Sequence, residues 1–215
     1  MARNKYPEET EKKILDVAEK LFLGNGYDHT TIQDIIDQLG GLTKGVIYHH
    51  FSSKKAIFDK VLERKYGNEV SLRLDRLEGL TGFQKIRELS LMTMRATDHQ
   101  MLAYSARTLL SNPQMVGNQY KTAYETAIPL MKDFVEEGIS DGSIITEFPQ
   151  EIAELLVLST NIWLAPLIYE LSKKEILHKL LFFQQLYEGV NFPLIDDEYI
   201  GACLMMYEVI QKKIN

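Results

Sequence analysis

Cysteine is almost missing from the 215-residue chain, where Cys203 stands alone. One thiol forms no internal disulfide and no thiolate metal framework, which excludes a small disulfide scaffold and points to a reducing compartment. Long apolar runs are missing too. Glu or Asp interrupts every apolar stretch before membrane-spanning length, and the charged start MARNKYPEETEKK has no signal-peptide core. A cytoplasmic address and no membrane partner are therefore expected. Catalytic signatures are equally scarce, with no G-x-S-x-G, H-E-x-x-H, C-x-x-C or G-x-G-x-x-G in the chain. GGLTKG at 40–45 superficially follows a phosphate loop, but Val46 stands where the loop needs lysine followed by serine or threonine. The five histidines, at 29, 49, 50, 99 and 178, have no metal-ligand spacing, because the adjacent pair diverges on a helix. No enzyme, no metal and no cofactor is expected. Cys203, inside the apolar stripe ACLMM, reads as a small buried hydrophobe rather than a redox sensor.

What is present is an ordinary globular composition, 45% apolar, 25% charged and 10% aromatic, on a chain long enough for a sizeable core. The net charge of −6 argues against nucleic acid until it is read by segment. Residues 1–66 carry 11 Lys and Arg against 10 Asp and Glu, whereas 67–215 carry 13 against 20. Within the first part, 43–66 holds Lys44, Lys54, Lys55, Lys60, Arg64 and Lys65 against Asp59 and Glu63. That stretch is a candidate to face phosphates, although a solvated helix face is the favoured reading for Lys55, Lys60, Arg64 and Lys65.

Apolar residues recur at helical spacing almost throughout; 45–51 is short enough for either a two-turn helix or a strand, and beyond residue 66 no strand pattern competes. Ile14, Leu15, Ala18, Leu21 and Phe22 form one stripe of a helix over 8–24, stopped by Gly24 and Gly26. Thr31, with Asp34 three residues on as an acidic capping box, opens a short helix that ends at Gly40 and Gly41. Thr43 is the candidate cap of the next short element, 45–51, and Ser53 that of a helix over 53–66. Further helices are predicted near 82–97, 99–111, 113–139, 150–172, 175–188 and 196–213. Asn112 caps one with Pro113 at its first position, and Pro129 and Pro166 are expected to kink theirs. The fold class is all-α: a head at 1–52, and a larger helical body at 53–215 joined to it by the helix 53–66.

Two short helices joined by a turn of about three residues, as over 31–50, have the layout that lays one helix in the DNA major groove while the other crosses the backbone. The same layout also serves as a plain packing unit. Ile32, Ile35, Ile36, Leu39, Leu42, Ile47 and Phe51 suffice to pack the pair, leaving Thr43, Lys44, Val46, Tyr48 and His49 for the outside. These side chains suit DNA. Taken together, AEKLFLGNGY from Ala18, TTIQDII from Thr30 and GLTKGVIYHHFSSKKAIF from Gly41 resemble the N-terminal domain of the TetR family of transcriptional regulators. The resemblance covers about 10–62 without a gap; Gly40 stands where alanine, and Ile47 where leucine, is commoner. It implies a dimeric repressor, less often an activator, with a helix-turn-helix head on double-stranded DNA and a helical body that binds an effector.

On that resemblance Tyr48 sets its hydroxyl on a phosphate with His49 and His50 beside it, and Lys54 reaches the same strand. Lys44 and Val46, with Thr43 and His49, are left to read bases, Lys44 at guanine and Val46 at a thymine methyl. Thr31 joins the DNA-facing set, and Gly45 lets the backbone come close. For His50 the packing reading is favoured. Tyr48 and Lys54 carry particular weight, since neither is expected to be needed to pack the head. In the body, Met92, Met101, Tyr104, Tyr120, Tyr124, Met131 and Trp163, with His99, Arg107 and Asn161 as polar anchors, are the candidate lining for an apolar or aromatic effector. Residue by residue, plain core is the favoured reading. Dimer pairing is expected through 150–172 and 196–213, where Leu155, Leu156, Leu158, Ile162 and Trp163, then Leu204, Met205, Tyr207 and Val209, surround their helices with apolar surface. The alternative function is a small-molecule-binding or protein-interaction adaptor that touches no operator.

Overall fold

A computed structural model describes residues 7–96, 101–103, 105–110, 112–164 and 171–214. All regular structure among them is helical: α1 Pro7–Asn25, α2 Ile32–Leu39, α3 Lys44–His50, α4 Lys54–Asp75, α5 Gly82–Arg95, α6 Arg107–Leu110, α7 Pro113–Thr122, α8 Ile128–Asp141, α9 Pro149–Leu158, α10 Lys173–Gly189 and α11 Asp197–Ile214. Two π-helical turns, Ala123–Ala127 and Ser159–Trp163, lie between α7 and α8 and after α9. The chain divides into two compact units, a head of Met1–Leu72 with Met101–Ala106 and a body of Arg73–Gln100 with Arg107–Asn215. The boundary expected at 52 falls inside the first unit. Ile57, Phe58 and Val61 on α4 are buried in the head, so most of that helix belongs to it.

The head is built around α1. Its Ile14, Leu15, Ala18 and Phe22 are buried as the helical stripe requires, and Phe22, Tyr27 and Phe58 meet with ring centroids 4.7–5.5 Å apart. Gly26 takes φ +86° just past α1 while its N–H returns to the Phe22 carbonyl at 3.0 Å. The chain then turns through Thr30, whose buried hydroxyl donates to the Gly26 carbonyl at 2.7 Å. Thr31 opens α2 with the capping box expected of it: Asp34 N–H donates to Thr31 Oγ1 at 3.1 Å, and Thr31 N–H to the Asp34 carboxylate at 2.7 Å. From residues 101–106, Leu102 and Ala106 are buried, and the Ser105 carbonyl accepts the Asp28 N–H at 3.2 Å.

In the body, α5, α8, α9, α10 and α11 enclose an apolar core that includes Ile86, Leu91, Val135, Leu156, Leu180, Phe183, Tyr199 and Cys203. Gly82 and Gly138 let α5 and α8 touch through backbone, for a Cβ on Gly82 would lie 2.2 Å from the Gly138 nitrogen. The expected caps Asn112 and Pro113 open α7, with Gln114 N–H donating to Asn112 Oδ1 at 2.9 Å. The expected single helix over 113–139 is interrupted instead of simply kinked. Pro129 has no N–H for the Glu125 carbonyl, and the backbone answers with the π turn, in which Ile128 N–H reaches back to Ala123. The helix predicted for 99–111 lies partly outside the described residues, as does Pro166; within them only α6 and the turn at 101–103 are helical. Cys203 is buried, and burial pushes its thiol up to about 11.

Within the protomer the apolar stripe of α9 packs mostly into the core. Leu156 is buried, Leu155, Leu158 and Ile162 are partly so, and only Trp163 stands out, 51% exposed. Packing on α8 takes up the buried side of that helix. The outward apolar surface shifts to Trp163, its edge-on neighbour Phe182 at 5.7 Å, and Leu181 on α10. On α11, Leu204, Tyr207 and Val209 are half-buried while Met205 is 70% exposed.

Candidate nucleic-acid interface

Only Ile47 of α3 is buried, and Phe51 just after it, so seven residues are held to the head by very little apolar surface. The rest of the helix is open. Thr43, Lys44, Gly45, Tyr48 and His49 are exposed, Tyr48 at 47%, and Val46 is half-buried. Lys44 Nζ lies 5.9 Å from the centre of the Tyr48 ring. Thr43 occupies the N-cap position with extended backbone, yet its hydroxyl makes no bond to the helix, contrary to the expected cap. That leaves a hydroxyl and the first N–H groups of α3 together at the surface, a combination suited to a phosphate oxygen. A Cβ added to Gly45 would meet only Thr43 Oγ1, at 3.8 Å, so nothing inside the head requires glycine there. His50 turns the other way: its Nε2 is buried without a hydrogen-bond partner among the described residues. Thr31 is exposed at the start of α2, with its oxygen committed to the capping box.

The basic stretch 43–66 does not present its charges outward as a set. Lys55 pairs with Asp59 at 2.6 Å and Lys60 with Glu63 at 3.0 Å along α4, while Arg64 bonds Asp16 and Glu19 and Lys65 bonds Glu19 on α1. Burial acts to raise the Glu19 carboxyl, but its bonds to Lys65 and Arg64 outweigh that and hold it below the ordinary range. Lys54 Nζ donates to the Tyr27 and Thr30 carbonyls, both at 2.8 Å, and sits 4.0 Å from the centre of the Tyr27 ring. The expectation that Lys54 is not needed to pack the head is therefore overturned. Two of its three N–H groups are used within the head, because the turn after α1 leaves two carbonyls without helical partners at that spot. Sequence reasoning also missed Tyr27, whose aromatic ring and carbonyl both serve this contact. Its position two residues past the stop of α1 was the available signal.

The proposed effector residues do not converge on one enclosed space. Met92 and Met131 are half-buried against the body core, as plain packing requires. Met101 groups with the head. Tyr120 and Tyr124 stack at 4.9 Å on the surface of α7 and the following π turn, and Asn161 and Trp163 are exposed on the second π turn. The four surface residues thus face solvent rather than a cavity, a correction that follows from spacing alone: a stripe repeats in sequence whichever way its helix is turned. His99 and Tyr104 lie outside the described residues, as does the Arg107 side chain.

This helix-turn-helix geometry coincides with what known proteins show. The family model described as bacterial regulatory proteins, tetR family, matches residues 14–61. A transcriptional repressor, KstR2 of Mycolicibacterium smegmatis, is 26% identical over 167 residues, which cover 72% of this chain and 77% of that one. The transcriptional regulator AcrR of Shigella flexneri is 33% identical over 101 residues, 45% of this chain and 46% of its own. In fold, a TetR-family regulator from Pectobacterium atrosepticum superposes with a TM-score of 0.59 at 21% identity, covering 87% of this chain and 97% of that one. Residues 14–61, which hold the helix-turn-helix head, thus match the tetR family of bacterial regulatory proteins, and the all-helical fold is similar to that of TetR-family regulators.

Proposed function

We propose that the protein is a dimeric repressor which grips a two-fold operator with two heads and lets go when a mostly apolar or aromatic small molecule binds the body. The open polar face of α3 carries this reading: Thr43, Lys44, Gly45, Tyr48 and His49 are exposed together on a helix whose packing needs only Ile47 and Phe51. Thr43, Tyr48 and His49 supply phosphate contacts that position the helix, and Lys44 with Val46 supplies the base contacts. Repression rather than activation is supported by relatives such as the KstR2 proteins, which are named repressors. The dimer is supported by the outward apolar residues Trp163, Leu181, Phe182 and Met205, and by the short reach of a single seven-residue helix. For the effector, Met131 is the best-placed residue, since it packs against both the main core and the small cluster of Ala123, Ile128, Ala153 and Val157 beside the first π turn.

Selection of bound duplexes from a random DNA library tests the reading directly. The expected result is an inverted repeat bound with affinity that falls as salt rises. Tyr48→Phe should weaken binding to every sequence alike, whereas Lys44→Ala should relax preference at one base position by about 1–3 kcal/mol. A library that returns no enriched sequence would sink the operator, and uniform loss in the Lys44 variant would sink the division between reading and positioning. A compound screen then looks for molecules that both raise the melting temperature and lower operator affinity; stabilisation without release would leave binding but no switch.

A further inference from the structure

The α2–α3 pair is a chain segment whose two ends are tied together at their base. Thr30 immediately precedes the capping box of α2, and Lys54 is the first residue of α4, three residues after the Phe51 that caps α3. The Lys54 ammonium bridges them by donating to the Thr30 carbonyl, 24 residues back, and to the Tyr27 carbonyl, 27 residues back. Its charge sits over the Tyr27 ring, itself wedged against Phe22 and Phe58 in the middle of the head. The Tyr27 carbonyl also accepts the Thr30 N–H at 3.2 Å, so the receiving turn is braced before the lysine arrives. Burial holds this ammonium below the ordinary lysine range, even though Asp28 and Asp34 favour the charge.

We infer that Lys54 is a positioning residue: it closes the helix-turn-helix into a loop pinned at its base and thereby sets the angle at which α3 meets DNA, acting through the Tyr27 and Thr30 carbonyls rather than on a phosphate. The inference rests on the operator-binding reading above. Its physical basis is the thinness of the packing under α3. With only Ile47 and Phe51 buried, the orientation of a seven-residue helix depends on where its flanking segments are anchored. On the α4 side, the Ser53 hydroxyl accepts the Ala56 N–H at 3.1 Å and so caps α4 itself. The hydrogen-bonded tie between α4 and the turn ahead of α2 is the ammonium, set beside the apolar contact of Phe58 with the Tyr27 ring. Lysine suits the place, for it has a long apolar stem to lie along a ring and donors enough for two carbonyls at once.

Lys54→Met keeps the stem and removes the donors. It is to be measured on the duplex that the wild-type protein selects from the random library, at a temperature where circular dichroism shows the variant fully folded. The expected result is a loss of tenfold or more in affinity with the slope of log K against log salt unchanged, and lowered amide-exchange protection within α3 while α1 keeps its own. A slope shallower by about 0.9, the share of one neutralised phosphate, would put the lysine on the DNA backbone and overturn the inference. An unchanged affinity and slope with only a lower melting temperature would overturn it too, leaving a purely structural lysine. Should wild type select no duplex, the operator reading fails by itself, and unaltered α3 protection in the free variant still refutes the tie. If the variant does not fold, the wild-type protein decides. Its Lys54 ammonium protons should exchange slowly both free and bound and show no scalar coupling to DNA phosphorus; such a coupling would refute the inference.

Discussion

Gly45 sits at the exposed start of α3, where glycine weakens a helix by about 0.5–1 kcal/mol relative to alanine. Nothing within 4 Å except Thr43 Oγ1 would touch a Cβ there, so the head itself gains nothing from the small residue. Gly45→Ala should therefore raise the denaturation midpoint of the head slightly while lowering operator affinity at least about fivefold, the low end of what an overpacked contact costs. Parallel urea melts and gel shifts check the two signs; a variant that gained stability and kept full affinity would remove Gly45 from the contact surface. The exposed residues of α3 were legible in the sequence because so few of its positions are apolar that the inside could be assigned first. Lys54 was not legible in the same way. Its partners are backbone carbonyls, which carry no residue-type signal, and they lie in a turn 24 and 27 residues away. His50 was legible as the ring of the adjacent pair that packs inward, and its Nε2 is buried.

Among the elements, α5 and α11 are joined by charge as well as by apolar packing. Arg87 donates to Asp196 at 2.8 Å and to Glu198 at 2.5 Å, and Arg95, the last residue of α5, donates to Glu198 at 2.6 Å. The Arg87 and Arg95 bonds hold the Glu198 carboxyl below its ordinary 4.5. For Asp196, partial burial pulls upward, but Arg87 and the backbone N–H groups prevail and hold it below 3.8. Carboxyls depressed on folding stabilise above their unfolded values and lose that contribution as pH falls through the depressed ones. Body stability should thus drop as the solution is acidified below about pH 4.5, and Arg87→Ala should flatten this limb while lowering the urea midpoint at pH 7. An acid limb identical to wild type would show that the pairs do not couple to folding. Helix starts were legible wherever a cap announced them, as at Thr31 and at Asn112 with Pro113. The two π turns were not, since five residues per hydrogen-bonded turn leaves no pattern that differs from an α-helix over so short a span. Pro129 announced a disturbance without its form.

For the whole molecule, assembly is the property most exposed to test. Trp163, Phe182 and Met205 stand outward on the body where an isolated protomer would keep them wet. Sedimentation equilibrium at micromolar concentration should give twice the protomer mass. Phe182→Asp combined with Met205→Glu should give single protomers of unchanged helicity, with operator affinity down by about 10²–10⁴ as the second head is no longer tethered to the first. A wild-type protein sedimenting as one protomer would end the dimer. The fold class was legible in the sequence because helical spacing ran almost unbroken. Which face of α9 met the core was not, since that helix is apolar on nearly every side and only its neighbours decide. The way the head uses its own cations bears on life in a crowded nucleoid. Of the six basic residues between 43 and 66, Lys55, Lys60, Arg64 and Lys65 are neutralised by carboxylates and Lys54 is turned to carbonyls, which leaves Lys44. Attraction to arbitrary duplex scales with such free charges. On the operator-binding proposal, this stretch therefore adds little to the hold that irrelevant genomic sequence has on the regulator.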